Sequence, residues 1–241
     1  MNDPLSPGQL EAIRRLDTCT VANAIETFGV RLRNEGYMDD SVRCLLPHFQ
    51  PMLGYAATVT IRGSAPPTDD GFFPERTDLW DYMLTVPAPR VLVMQDLASR
   101  PGAGALIGVV HMNILRALHG VGVVTNGTAR NLPAAENVGL HLFASGVSVS
   151  HAYLHIVGVG VPVEVGGLKI RSGDLLHGDI HGVQSIPLGI AARIPGVAAA
   201  ITEKEQELIA LCHAPGFTLD QLRAAVNKEP PHVIGGSPLQ W

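Results

Sequence analysis

The chain has 241 residues, 46% of them hydrophobic and 16% charged, with a formal net charge of −5. Its pI is about 6.0 and its mean hydropathy +0.20, a globular composition whose length allows a buried core in one large domain or two small ones. No block of basic residues appears, which argues against nucleic acid as a partner, and no run of about 18 apolar residues argues for a membrane span. The start, MNDPLSPGQLEAIRRLDT, lacks a basic-then-apolar leader pattern. The three cysteines, Cys19, Cys44 and Cys212, are scattered and odd in number, as expected of reduced thiols in a cytoplasmic protein.

In chain order, residues 7 to 28 read as helical, with Ser6 or Pro7 at the start and Leu10, Ile13, Leu16 and Val21 at roughly helical spacing. TCTVANAIETFG is a short second helix ended by Gly29. GYAATVTIRG alternates apolar and small polar residues and predicts a strand. Residues 64 to 78, with their prolines and acids, predict a loop. LWDYMLTVP predicts a short helix stopped by Pro87, and RVLVMQD a buried strand. GALIGVVHMNILRALHG predicts a helix that opens on a glycine-rich turn and closes at Gly120. VGVVTNG is the next strand, NLPAAENVG a short helix and HLFASG another strand. Beyond it the helical period disappears. Glycine-broken short strands run to about residue 187, as in a β-sandwich or small barrel, and helix returns from 198 to 227. The expectation is a mixed α/β domain over residues 1–195 with a β-rich second half, followed by a C-terminal helical extension, 196–241.

The stretch RPGAGALIG, residues 100 to 108, follows a strand and opens a helix. A helix N-terminus presents unpaired N–H groups and partial positive charge, and glycine lets an anion approach the backbone. The pattern is not a Walker A loop, since it lacks Gly-Lys-Ser/Thr, nor a dinucleotide fingerprint, since Ile107 stands where the third glycine belongs. A bare βα connection with no ligand would look the same. Arg130 lies just past the next strand. In a parallel β-α-β unit both strand ends open on one edge, which puts Arg130 beside the turn. A guanidinium grips a carboxylate with two parallel hydrogen bonds, so the pair would suit a 2-oxo acid or dicarboxylate. The alternative is a surface arginine with a local ion pair.

GALIG, GVVTNGTARN and GDLLHGDIHGVQSIP together resemble the family that holds the RraA-like proteins and the 4-hydroxy-4-methyl-2-oxoglutarate aldolases. TCTVANAIETFGV and VPVEVGGLKIRSGDLL fit it too, and the likeness spans roughly residues 16 to 190. The resemblance implies an α/β fold like the phosphohistidine swivelling domain, in homotrimers or homohexamers with active sites at subunit contacts. Its aldolase members hold a divalent metal, Mg²⁺ or Mn²⁺, and cleave 2-oxo acids to pyruvate; many also decarboxylate oxaloacetate. The resemblance carries Gly104, Ala105, Leu106, Ile107 and Arg130 onto this chain as substrate-site residues. It departs from this chain at the metal. Where the family has DGAVRD, this chain has Asn126-Gly-Thr-Ala-Arg130-Asn131, and where an acid follows the glycine turn it has Val109. Mg²⁺ prefers anionic oxygen ligands, so Asn131 stands at the metal-anchoring position without the charge.

Substitute ligands could come from HGDIHG. His177, Asp179 and His181 alternate and would share one face of a strand, and Asp179 is the candidate metal ligand there; a structural turn is the other reading. His111, early in the helix after the glycine turn, is the candidate base, or a half-buried, hydrogen-bonded histidine. His151 and His155 have metal spacing only on a helix, and the local sequence reads as strand. Two functions follow: a lyase for a small 2-oxo acid, with Arg130 and backbone amides on the carboxylate, or a non-catalytic RraA-like regulator that has lost the metal acids.

Overall fold

Two side-chain caps divide the first helical stretch. Ser6 accepts the Gln9 amide while the Gln9 side chain accepts the Ser6 amide, starting α1 (Pro7–Arg14). Asp17 then accepts both the Thr20 amide and its hydroxyl and starts α2 (Thr18–Glu26). The computed structural model describes residues 4–68 and 73–226. The elements that follow are β1 (Arg43–Cys44), β2 (Met52–Arg62), α3 (Arg76–Thr85), β3 (Arg90–Asp96), α4 (Val109–Ala117), β4 (Gly120–Thr125), β5 (Thr128–Ala129), α5 (Leu132–Val138), β6 (His141–Ala144) and β7 (Gly146–Val147). The second half carries β8 (His155–Val159), β9 (Val163–Val165), β10 (Leu168–Ile170), β11 (Leu175–Asp179), β12 (Gly182–Ile186), α6 (Leu188–Ala191), α7 (Ile194–His213) and α8 (Leu219–Val226). Residues 69–72 of the expected loop, and the chain from 227, lie outside the described residues.

The fold is mixed α/β around one mixed sheet. Its order is β1-β6-β4-β3-β2-β11-β12, with β8 also paired to β2. β2, β3, β4 and β6 are parallel, while β11 and β8 run antiparallel to β2 along its first and last residues. The glycine-broken strands therefore do not form the separate sandwich or barrel that their sequence suggests. β8, β11 and β12 extend the central sheet, β9 and β10 pair as a separate hairpin, and the short β7 pairs with β5.

Alternation along the strands divides the core in two. Leu53, Tyr55, Ala57 and Val59 of β2, with Leu92 and Met94 of β3, face the helices. Met52 and Ala56, with Val91 and Val93, face the other way, onto Val163, Val165, Leu168 and Ile170 of the hairpin. Covered on both faces, these strands read as nearly continuous apolar runs. Ile194, Ala198 and Ile201 of α7 also join the helix-side core, so residues 194–201 pack onto the domain rather than beyond it, and residue 195 falls in the first turn of that helix.

Helix α4 begins at Val109, not at the glycine turn. Leu106 and Ile107 are pulled into the core, and Gly108 is the N-cap in extended conformation. The segment from 97 to 108 is a loop at the C-terminal edge of the parallel strands.

Candidate functional site

The loop is tied down from β3. Asp96, 2% exposed at the end of that strand, accepts the Ala98 amide at 3.0 Å with one oxygen and the Gly102 amide at 2.9 Å with the other. Asn126, just past β4, locks the same strand end from the other side. Its Oδ1 accepts the Asp96 amide at 2.7 Å and its Nδ2 donates to the Asp96 carbonyl at 3.1 Å. A carboxylate could make only the first of these bonds. The first amide of the NGTARN turn is therefore structural.

Packing fixes the rest of the turn. Thr128 donates to the Gly104 carbonyl at 3.0 Å, and the Ala105 amide donates to the Ser150 carbonyl at 3.0 Å. A Cβ on Gly104 would stand 2.6 Å from the His151 carbonyl carbon, so only glycine lets the turn lie against residues 151–152. Of the four residues expected to cradle an anion, Gly104, Ala105, Leu106 and Ile107, one amide is thus already committed. The side chains of the last three are buried, which leaves backbone as the face they offer. The amides of Leu106, Ile107 and Gly108 have no partner among the described residues, and no side chain caps α4.

Arg130 follows β5 (Thr128–Ala129) at the sheet edge where β3 and β4 end, the edge that also carries this turn. Its Nε donates to Asn131 Oδ1 at 3.1 Å, and it has no carboxylate partner among the described residues. Asn131 sits at φ 55°, ψ 43°, as the N-cap of α5, a left-handed conformation asparagine tolerates. A Cβ on Gly108 would lie 3.9 Å from Asn131 Oδ1, 3.3 Å from His151 Cε1 and 3.5 Å from His151 Nε2. Arg130, Asn131, His151 and the start of α4 thus converge. His151, discounted from sequence as half of a metal pair on a strand, lies in the loop before β8. Its partner in the supposed pair, His155, turns to the Tyr153 carbonyl and to the Phe73 ring.

His111, on α4, packs into a small apolar pocket with Leu79, Trp80, Leu106 and Ile107, beside Arg76. Burial lowers its pKa, and the neighbouring Arg76 and His151 add to the effect, so the neutral ring is favoured.

Asp179 is not brought to this site. It accepts the Thr18 amide at 2.8 Å, the Thr18 hydroxyl at 2.6 Å and the His181 amide at 2.8 Å. It caps α2 at the end of the sheet where β2 begins, since Gly178 pairs with Met52; the glycine turn and Arg130 lie at the end where β3 and β4 finish. His177 and His181 do not share a face. The first is wholly buried, and the second lies in the turn beyond β11 with its side chain 58% exposed.

A model of the RraA-like family, described as Aldolase/RraA, matches residues 18–184. The chain belongs to the Aldolase/RraA family. That family includes 4-hydroxy-4-methyl-2-oxoglutarate aldolases and RraA regulatory inhibitors. A relative from Halalkalibacterium halodurans, named for an inferred 4-hydroxy-4-methyl-2-oxoglutarate aldolase activity, is 31% identical over 86 residues. That match covers 35% of this chain and 41% of the relative, less than half its length. Among solved structures, an uncharacterized protein from Pseudomonas syringae pv. tomato superposes with a TM-score of 0.72 at 24% identity, over 93% of this chain and 96% of its own. Streptomyces coelicolor RraAS2, described as an unusual member of the RNase ES inhibitor RraA family, gives 0.65 at 22% identity, over 87% and 98%. At these identities the two likenesses speak to the fold.

The divalent metal of the family's aldolases does not fit the donors this chain provides. Asn126 is spent on the Asp96 backbone, Asn131 Oδ1 takes the Arg130 Nε–H, and Val109 offers no ligand atom. Among the described residues no group of three or more His, Cys, Asp or Glu could hold a metal ion. Neutral amides already engaged in hydrogen bonds make a poor set for a hard cation.

Proposed function

We propose that this protein is a carbon–carbon lyase acting on a small 2-oxo acid, by retro-aldol cleavage or decarboxylation. The observation that carries the reading is an arginine, Arg130, with no carboxylate partner among the described residues, together with three amides just before α4 that have no partner among the described residues. The guanidinium takes the substrate carboxylate bidentately. The amides of Leu106, Ile107 and Gly108 face the 2-oxo oxygen, where charge develops as the C3–C4 bond breaks and its electron pair moves into an enolate. Membership of a family that includes aldolases supports the same reaction class.

The test is pyruvate release from oxaloacetate and from 4-hydroxy-2-oxo acids, run with and without Mn²⁺, together with calorimetry of oxalate as an enolate mimic. Arg130→Ala is expected to weaken oxalate binding by about 1.5–3 kcal/mol, the range for charge-assisted hydrogen bonds. Unchanged affinity in that variant would overturn the reading. A regulatory protein without catalysis is the second reading, favoured by the loss of the metal-anchoring acids at Asn131 and Val109. Tight oxalate binding with no turnover of any 2-oxo acid would select it.

A further inference from the structure

We propose that His151 is the proton-transfer group of this site, working on the substrate held by Arg130 and the turn amides; the assignment rests on that reading of the site. Three features of the loop before β8 carry it. His151 Nδ1 lies 2.6 Å from the Ala105 carbonyl. A carbonyl only accepts, so Nδ1 carries the hydrogen, and the lone pair of the neutral ring is left on Nε2. Second, that bond aims the ring at Gly108. The missing side chain there leaves Nε2 open toward the first turn of α4, 3.5 Å from where a Cβ would be. Third, the loop is held stiffly. Gly104 packs on the His151 backbone, the Ala105 amide holds the Ser150 carbonyl, and the Ala152 amide donates to the Ser150 hydroxyl at 2.9 Å. Ala152 is one of three non-glycine residues at positive φ among the described residues, and Asn131 on the other wall is another. Such strain persists only where the surroundings enforce it.

The charged and titratable groups facing His151 are Arg130, through Asn131, and His111 of α4. His111 is the less suited of the two histidines, because its ring is packed among Leu79, Trp80, Leu106 and Ile107.

In the retro-aldol direction Nε2 takes the proton of the C4 hydroxyl. The C3–C4 bond breaks, a carbonyl compound departs, and the bonding pair becomes the enolate of pyruvate. The Nε2–H then returns the proton to C3, which leaves the ring neutral. In decarboxylation the C3–C4 bond of oxaloacetate breaks with its pair left on the enolate. CO₂ departs, and an imidazolium, protonated from solvent, supplies the proton to C3.

The experiment is a histidine NMR titration of the full chain, assigned through the backbone, with and without saturating oxalate. It is paired with kcat/KM for oxaloacetate against pH in wild type and His151→Asn. Asparagine keeps an N–H donor for the Ala105 carbonyl and removes Nε2. The expected result is that oxalate raises the His151 midpoint by about one pH unit or more, since an anion beside the ring favours its charged form. At a pH above the bound-state midpoint, where the ring is neutral, His151→Asn should bind oxalate within about threefold of wild type, and it should lose the histidine limb of the pH profile. Arg130-dependent oxalate binding with an unmoved His151 midpoint, or a histidine limb that persists in His151→Asn, overturns the assignment and leaves the site reading standing. A midpoint that moves at His111 instead gives the role to that residue. Absence of oxalate binding in the wild type overturns the site reading and this assignment with it. The wild-type titration decides even if the variant does not fold.

Discussion

The two asparagines of NGTARN differ in what their neighbours ask of them. Asn126 donates to and accepts from the Asp96 backbone, so Asn126→Asp should cost about 1–3 kcal/mol, the penalty for leaving a buried polar group unanswered. A fall in the thermal midpoint checks it. Asn131 is exposed, and among the described residues its side chain bonds only the Arg130 Nε; Val109 is 45% exposed at the start of α4. Restoring acids there, with Asn131→Asp and then Val109→Glu, should add Mn²⁺ affinity stepwise, because a carboxylate attracts a divalent ion far more strongly than an amide dipole does. Calorimetric titration of the three proteins checks the order. Equal, tight binding in all three would mean that another group already anchors the ion. Acid sensitivity is set elsewhere. Burial lowers His177 to about 4, and burial with Arg116 and Arg14 nearby lowers His141 to about 4. The folded values lie below the unfolded value near 6.5, so the unfolded chain binds more protons between about 6.5 and 4. The stability these rings contribute is present above pH 6.5 and is lost as pH falls toward 4. Thermal midpoints between pH 7.5 and 4.5 should decline, and His177→Met should flatten the decline.

At the scale of elements, the site depends on a loop, 97–108, that is stitched to three neighbours: the end of β3 through Asp96, the start of β5 through Thr128, and the loop before β8 through Ser150 and His151. Gly104 is where two of these backbones touch. Gly104→Ala is expected to cost about 1–3 kcal/mol, as for an overpacked core position, because the clash at 2.6 Å is with backbone. It should also weaken oxalate binding by displacing the 148–152 segment. A variant that melted as the wild type does would show that the two loops can part without cost.

For the whole molecule, both faces of the sheet are covered, by helices on one side and the β9–β10 hairpin on the other. Apolar side chains remain exposed in several parts of the chain, and five of them, Val109, Val110, Val147, Val149 and Tyr153, belong to segments that flank the site, with Val149 91% exposed. Exposed apolar side chains of this kind are what a subunit contact covers. The expected assembly, a homotrimer or homohexamer, would place a second copy against the rim of the site. Light scattering at micromolar concentration should give at least three chains per particle, and Val149→Lys should lower that number. A monomer in the wild type would contradict the expectation.

The sequence by itself determined the parallel β3-α4-β4 unit, through two apolar runs, a glycine-rich turn and a helical period, and hence that Arg130 stands at the same edge as that turn. It also determined the family, through motifs spread over most of the domain. Both are local patterns, since they need only side-chain periodicity and turn chemistry. Other outcomes required the tertiary structure. Helix α4 starts at Val109 because Leu106 and Ile107 find a core to enter, which no helical period in GALIGVVHMN reveals. Asp179 is spent on the Thr18 end of α2, 161 residues away in the chain. Asn126 looks in sequence like a metal acid lost, and it is a clamp on the Asp96 backbone. His151 carries no local signal, for its meaning comes from the Ala105 carbonyl, 46 residues earlier, and from a glycine without a side chain at 108. Long-range hydrogen bonds of this kind are chosen by how the chain packs, so only the packed chain discloses them.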